Sequence, residues 1–502
     1  MDAWAFDPIL VRISIPFSQA PGATAPGRGV PFVLNGPRDQ CSCSGMGRRL
    51  IRLHLLVVLQ WGVAAEQPNL LFIISDDCTY RDIGCYGGQA HTPNLDRLAL
   101  EGMRFERCFQ AAPMCSPTRH NLYTGLYPVK SGAYPNHAMA YPDVKSVVHY
   151  LKPLGYRVAH TGKRHFSPPE VFPFESLGGG KNPNMKAVDR LFRESAASGQ
   201  PFSLFACSNE PHLPWTKGDP SQYQAASVKL PPYIVDTPVV REHFTRYLAE
   251  ITYFDTQVGE ILALLERHGL RDNTLVMVVS EQGNAFPFAK WTCYDSGLQS
   301  AMLVRWPGRV TAGSLSAAMV EYVDVVPTLV ELAGGGPVDG LDGRSFVPVL
   351  KGESNRHKDY VFGIMTTRGI NNGSPKFAIR SIRGDRFKLI WNLHHQTTFS
   401  NAAMTKPYFI SMEEKANAGD AVAARLVHAY RHRSEFERYD LATDPLERNN
   451  LASQPRYASD MASLRSRLEG WMRRQGDGGD ETELMALERQ SRNQANNTRP
   501  AR

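Results

Sequence analysis

The feature that most constrains this chain is a series of short apolar runs separated by helical patterns. Asn69-Leu70-Leu71-Phe72-Ile73-Ile74-Ser75 is continuous rather than alternating, as expected of a parallel strand covered on both faces. Strand-like runs recur at residues 156–161, 201–206, 274–280 and 301–306, and helical patterns at 144–151, 185–196, 243–268 and 323–333. A further helix starts at Thr92-Pro93, with Thr as N-cap and Pro at the first helical position, and ends at Gly102. The alternation predicts an α/β fold, a large mostly parallel sheet sandwiched by helices.

Beyond residue 355 the pattern changes. Residues 376–383 and 386–392 flank Gly384-Asp385 as a β-hairpin, 436–441 reads as another strand, and 461–474 as a closing helix. The expected division is a catalytic domain over 66–355 and a smaller C-terminal α+β subdomain over 356–475. A polar tail over 476–502, poor in apolar residues, is expected to fray.

At the other end, Met46-Gly47-Arg48-Arg49 and Arg52 precede an apolar run over 53–63, then Ala64-Ala65-Glu66. Basic, apolar and small-residue segments in that order read as a signal peptide over 46–65, too short to span a bilayer. The chain is therefore expected to be secreted or periplasmic, and the Gly- and Pro-rich residues 1–45 to be an unpacked extension ahead of the true start. The formal charge of +7 suits an anionic substrate, although a solvated surface explains it equally. The absence of a Lys/Arg block sets nucleic acid aside. Eight cysteines lie at 41, 43, 78, 85, 108, 115, 207 and 293 without a CxxC pair. They indicate neither a zinc site nor a dense disulfide framework.

Three segments carry chemistry. Asp76-Asp77 directly follows the first apolar strand, where open α/β sheets gather ligands. Adjacent carboxylates there repel unless a cation such as Ca²⁺ or Mg²⁺ neutralises them, though alone the pair reads equally as a turn or cap. Glu281-Gln282-Gly283 ends a second strand and could complete an oxygen-ligand set. In Cys115-Ser116-Pro117-Thr118-Arg119, Pro117 can open a helix that Gly125 closes. Cys115 would then lie at a helix N-terminus that favours an anion, although an isolated cysteine is more simply an inert buried thiol.

These residues resemble the type I sulfatases of the alkaline phosphatase-like superfamily, and the resemblance runs from about Pro68 to Asp477. The signature Cys-x-Pro-x-Arg with a following Thr-Gly is matched by Cys115, Pro117, Arg119, Thr124 and Gly125; Thr118 stands where Ser is usual. The resemblance implies that a separate maturation enzyme oxidises Cys115 to formylglycine. One hydroxyl of its hydrate would attack sulfur, and deprotonation of the other would release sulfate. It further implies one Ca²⁺ held by Asp76, Asp77, Glu281 and Gln282 together with position 115. Glu281-Gln282 replaces the more usual Asp followed by Asn or His. Arg119 would orient the nucleophile, Lys163, His165 and Lys290 would offset sulfuryl charge, and His212 would protonate the leaving group, with His165 in reserve. Within the family, Gly162-Lys163-Arg164-His165, Val171–Phe174, Phe286-Pro287, Arg380-Ser381 and Leu389–Leu393 resemble the heparan N-sulfatase (N-sulfoglucosamine sulfohydrolase) branch. The implied substrate is a sulfated saccharide. An O-sulfatase, a phosphodiesterase or phosphonate monoester hydrolase of the same superfamily, and a non-catalytic glycan-binding relative are the alternatives. A homodimer is left open.

Overall fold

A computed structural model describes residues 67–496; the expected leader at 46–65 and extension at 1–45 lie outside them. The larger sheet contains β1 (Asn69–Ser75), β2 (Met103–Phe109), β3 (Arg157–Gly162), β4 (Glu175–Ser176) and β5 (Phe202–Cys207). It continues with β6 (Thr274–Ser280), β7 (Gln299–Arg305), β8 (Ser314–Ser316) and β9 (Val320–Glu321). Their order is β4-β3-β5-β1-β6-β7-β2-β8, with β9 also on β2. Only the β6–β7 and β7–β2 pairings are antiparallel, so β7 is the single reversed strand of a mostly parallel sheet.

The continuity of the β1 run follows from burial on both faces. Leu71 and Ile73 enter one apolar cluster with the helices Met185–Ser198 and Pro238–Arg267. Leu70, Phe72 and Ile74 enter another with the helix Val325–Leu332. Burying such side chains contributes about 1.5–3 kcal/mol each, so the alternation between two covered faces fixes the strand. The helix expected from His243 begins earlier, at Pro238, because the Thr237 hydroxyl caps the Val240 N–H at 3.0 Å. β2 escapes sequence detection because Arg104, Glu106 and Arg107 interrupt its apolar residues.

A four-stranded antiparallel sheet follows, β10 (Val361–Met365), β11 (Ile379–Arg383), β12 (Phe387–Asn392) and β13 (Phe436–Asp440), paired in chain order. β11 and β12 form the hairpin across Gly384-Asp385, and the helix Ala458–Gln475 packs Leu464, Leu468 and Trp471 against this layer. Both sheets belong to one compact unit; a domain boundary at 355 stays a proposal.

The segment after Gly476 corrects the expectation of a frayed tail. The Asp477 carboxylate pairs with Arg380, both side chains fully buried. Glu483 accepts the Thr367 and Arg368 N–H groups, each at 3.0 Å. Arg489 donates to the Gly132 and Met139 carbonyls at 3.0 and 2.7 Å, and the Ser491 N–H to the His137 carbonyl at 2.8 Å. Its polar side chains satisfy buried backbone groups elsewhere in the chain, an attachment that apolar content does not register. All six cysteines among the described residues are free of disulfides. No helix among them is long and apolar enough to cross a membrane.

Candidate active site

The sheet register brings the chemical segments together. Ser75 and Ser280 are paired at the ends of β1 and β6, so Asp76-Asp77 and Glu281-Gln282 leave adjacent strands at one level. On the other side, Cys207 aligns with Ile74 and with Gly162, which delivers Glu210-Pro211-His212 and Lys163 to the same edge. Gly162 has φ +84°, and a Cβ there would meet the Cys207 carbonyl oxygen at 2.0 Å. Only glycine satisfies that turn.

Cys115 begins the helix Cys115–Thr124, which ends at Gly125. Pro117 is its third residue, so Cys115 lies inside the first turn, buried at 2% exposure. Lys290 Nζ donates to Asp77 at 2.7 Å and approaches Cys115 Sγ at 3.4 Å. The Gln282 amide donates to Asp77 and lies 3.2 Å from Cys115 Sγ. Lys163 pairs with Asp76, and His212 Nε2 lies 3.6 Å from Asp77. Burial pushes the Cys115 thiol up to about 12 despite the nearby Lys290. An unmodified thiol here stays protonated at neutral pH and is a poor nucleophile.

Arg119 lies close enough to Cys115 for its charge to act on the thiol, and its hydrogen bonds go to other partners. It pairs with Glu281 and donates to the Lys163 carbonyl at 2.8 Å, which braces the strand end that carries Gln282. His212 Nδ1 donates to the Leu213 carbonyl at 2.6 Å, leaving the Nε2 lone pair toward Asp77. Burial pulls His212 down to about 3 and Lys163 to about 7. His165 stands apart from the other hydrogen bonds, with Nε2 2.9 Å from His137 Nδ1. His137 is a residue that sequence reasoning missed, since a lone loop histidine carries no signal. Backbone strain gathers nearby: Asp77, His137, His165, Phe288 and Trp291 adopt φ values between +50° and +73° without being glycine.

The donor set suits a hard cation. Asp76 Oδ1 and Gln282 Oε1 are buried without a hydrogen-bond partner, and unpaired buried oxygens of this kind are costly. Asp76, Cys115 and His212 each bring a liganding atom within 4.8 Å of the others. Turning the Gln282 amide by 180° would present its oxygen beside Asp77, an orientation favoured only with a cation between them. Glu281 Oε1 likewise lacks a hydrogen-bond partner, although Arg119 pairs with the carboxylate.

A cavity of about 550 Å³ opens from Asp77, His212 and Lys290. Trp215 and Trp291 line it, together with the cationic Arg246 and Lys406. Aromatic faces beside positive charges suit an anionic sugar.

A family model described as "Sulfatase" matches residues 68–335, and one described as "N-sulphoglucosamine sulphohydrolase, C-terminal" matches 283–407. An ulvan-active sulfatase of Formosa agariphila is 33% identical over 425 residues, covering 82% of this chain and 81% of that protein. The N-sulphoglucosamine sulphohydrolase of Homo sapiens is 28% identical over 472 residues, covering 83% and 92%. A solved structure in complex with D-glucosamine-2-N,6-O-disulfate shares the fold at TM-score 0.63 and 20% identity, over 83% of this chain and 99% of that one. So does a phosphonate monoester hydrolase from Silicibacter pomeroyi, at TM-score 0.59 and 19% identity over 82% and 96%. With the matched model spanning more than half of its length, the chain belongs to the sulfatase family.

Proposed function

We propose that this chain hydrolyses N-sulfate from a glucosamine unit of a sulfated glycan, using formylglycine at position 115 and one Ca²⁺. The observation that carries the reading is the convergence of Cys115, Asp77, Gln282 and Lys290 at the ends of two adjacent strands. The N-sulfate preference draws on the C-terminal family model over 283–407 and the likeness to the human sulphohydrolase.

Asp76, Asp77 and Gln282, with Glu281 as the braced fourth, would hold the cation, which supplies Lewis-acid polarisation of the nucleophile and of a sulfuryl oxygen. Once oxidised, position 115 supplies the hydrated aldehyde that a separate maturation enzyme must make. Lys290 and Lys163 sit where they can offset sulfuryl charge, and the buried floor keeps their fields strong. His212, neutral and with its Nε2 lone pair toward the site, is positioned to take the proton that the attacking hydroxyl at position 115 gives up and pass it to the departing nitrogen or oxygen. The Lys406 and Arg246 charges on the cavity wall suit a polyanionic saccharide. The segment at 46–65 supports secretion or periplasmic export.

A second reading, an O-sulfatase on another polysaccharide, is favoured by the 33% identity to the ulvan-active sulfatase. Product analysis on N-, 6-O- and 2-O-sulfated heparin disaccharides and on ulvan fragments, with calcium present, separates the two. Loss of N-sulfate alone supports the first; release of only O-sulfate overturns it. A higher kcat/KM on a phosphate diester than on a sulfate ester of the same leaving group would overturn both.

A further inference from the structure

His137 and His165 form an imidazole pair that the site chemistry leaves unexplained. Their facing nitrogens are 2.9 Å apart and their rings stack obliquely, with centroids 4.8 Å apart. Both residues hold strained backbone, at φ +59° and +50°, and such strain persists only where the surroundings enforce it. The enforcement is visible. The Ala138 N–H donates to Ser116 Oγ, one residue from Cys115, at 3.2 Å. Ala138 also forms a β-bridge with Gln490, whose side chain donates to the Asn136 carbonyl at 2.8 Å and the Gly369 carbonyl at 3.1 Å. The Ser491 N–H then binds the His137 carbonyl itself.

The other nitrogen of His165, Nδ1, is buried with no partner among the described residues. A neutral imidazole carries one proton, so its two nitrogens have opposite roles. Burial, and after it the charges of Lys163, His137 and Arg119, hold His165 well below the usual imidazole value. The proton therefore sits either on Nδ1 or on Nε2. If His165 Nε2 donates to His137, then Nδ1 offers a lone pair, which repels an oxyanion. If His137 Nδ1 donates instead, His165 Nδ1 carries the proton and can bond to one.

We propose that His137 is a positioning residue for His165: it donates from Nδ1 to His165 Nε2, holding His165 Nδ1 as an N–H donor for a sulfuryl oxygen. Residues 489–491 fix His137 in this role. The assignment rests on the functional reading above and extends it to His165, which lies within the field of the site residues Lys163, Arg119 and Lys290.

The test uses the full-length mature enzyme. His137→Phe keeps a ring but no donor, and is expected to lower kcat about 10- to 100-fold with KM within about threefold. His137→Asn retains an N–H donor and should recover most of the loss. Gln490→Ala should lower kcat in the same direction. Unchanged kcat in His137→Phe overturns the proposal, and so do equal losses in the Phe and Asn variants, which would mark a structural role. An unchanged Gln490→Ala overturns the part given to the C-terminal segment. Independently of activity, ¹⁵N NMR of histidine-labelled protein, assigned with His165→Asn, should show His165 protonated at Nδ1. A proton on Nε2 overturns the proposal even in an enzyme that releases sulfate. Failure of the wild type to release sulfate from any saccharide would instead reject the functional reading, while the NMR result still decides the tautomer.

Discussion

Arg119 and Glu281 lie side by side with their side chains 0% and 1% exposed, Nε to Oε1 at 2.7 Å and Nη2 to Oε2 at 3.2 Å. The pair ties the helix that carries Cys115 to the strand end that carries Gln282. Removing either partner strands a buried charge, at a cost of about 3–5 kcal/mol. Arg119→Ala should therefore lower the urea midpoint strongly as well as activity. An Arg119→Ala variant with wild-type stability and only a KM defect would show that the guanidinium serves substrate rather than the fold.

Cys115→Ala should lose activity by at least about 1,000-fold, because no neighbouring side chain can replace a nucleophile at the helix start. Its melting temperature should stay close to the wild type, since Cys115 is a small buried group. Cys115→Ser should be equally impaired, because a single hydroxyl cannot re-form an aldehyde. Mass spectrometry of the tryptic peptide containing residue 115 checks the oxidation directly.

Chelation followed by dialysis should lower both activity and thermal stability, with recovery on adding calcium. A cation bound only by the folded state stabilises it by about 2.7 kcal/mol at a hundredfold excess over its Kd. Asp77→Asn should abolish the calcium-dependent rise in melting temperature, as read by calorimetry with and without the ion.

Beneath the His212 loop, the Glu250 carboxylate accepts the Lys217 N–H at 2.9 Å and also that of Thr216. Burial pushes Glu250 up to about 8, with the Glu210 charge adding to the shift and the two N–H groups opposing it. Its folded pKa therefore lies above the unfolded value near 4.5. Between those values the unfolded chain has released a proton that the folded one keeps, so stability falls as pH rises from about 4.5 to 8. Glu250→Gln imitates the protonated form. It should raise the melting temperature more at pH 8 than at pH 5, and an equal change at both would reject the shift.

Asp477→Ala tests the corrected C-terminal segment. A frayed tail would tolerate it; the fully buried pair with Arg380 predicts a loss of about 3–5 kcal/mol in denaturant unfolding.

Sequence disclosed the sheet, the helix start at Cys115 and both acidic strand ends, because each depends on local pattern: the doubly buried apolar run of β1, the Pro117 helix start, and carboxylates immediately after strands. What it hid depends on long-range polar pairing. The pairing of Arg119 with Glu281 joins residues 162 positions apart. His137 gains its partner only through a loop that residues 489–491 hold, and those residues looked dispensable because their polar groups had no visible local use. Strand β2 was obscured by Arg104, Glu106 and Arg107, which break up its apolar residues.

The bond from Arg489 to the Gly132 carbonyl spans 357 residues. On a ribosome, the rim around His137 thus stays unfinished until nearly all of the described chain has emerged, long after the helix at Cys115 could form. Assembly of this rim is in that sense timed from the far end of the chain. A nonsense codon, a proteolytic nick or an ill-placed purification tag near residue 490 would register as a defect around His137 rather than as a loose terminus.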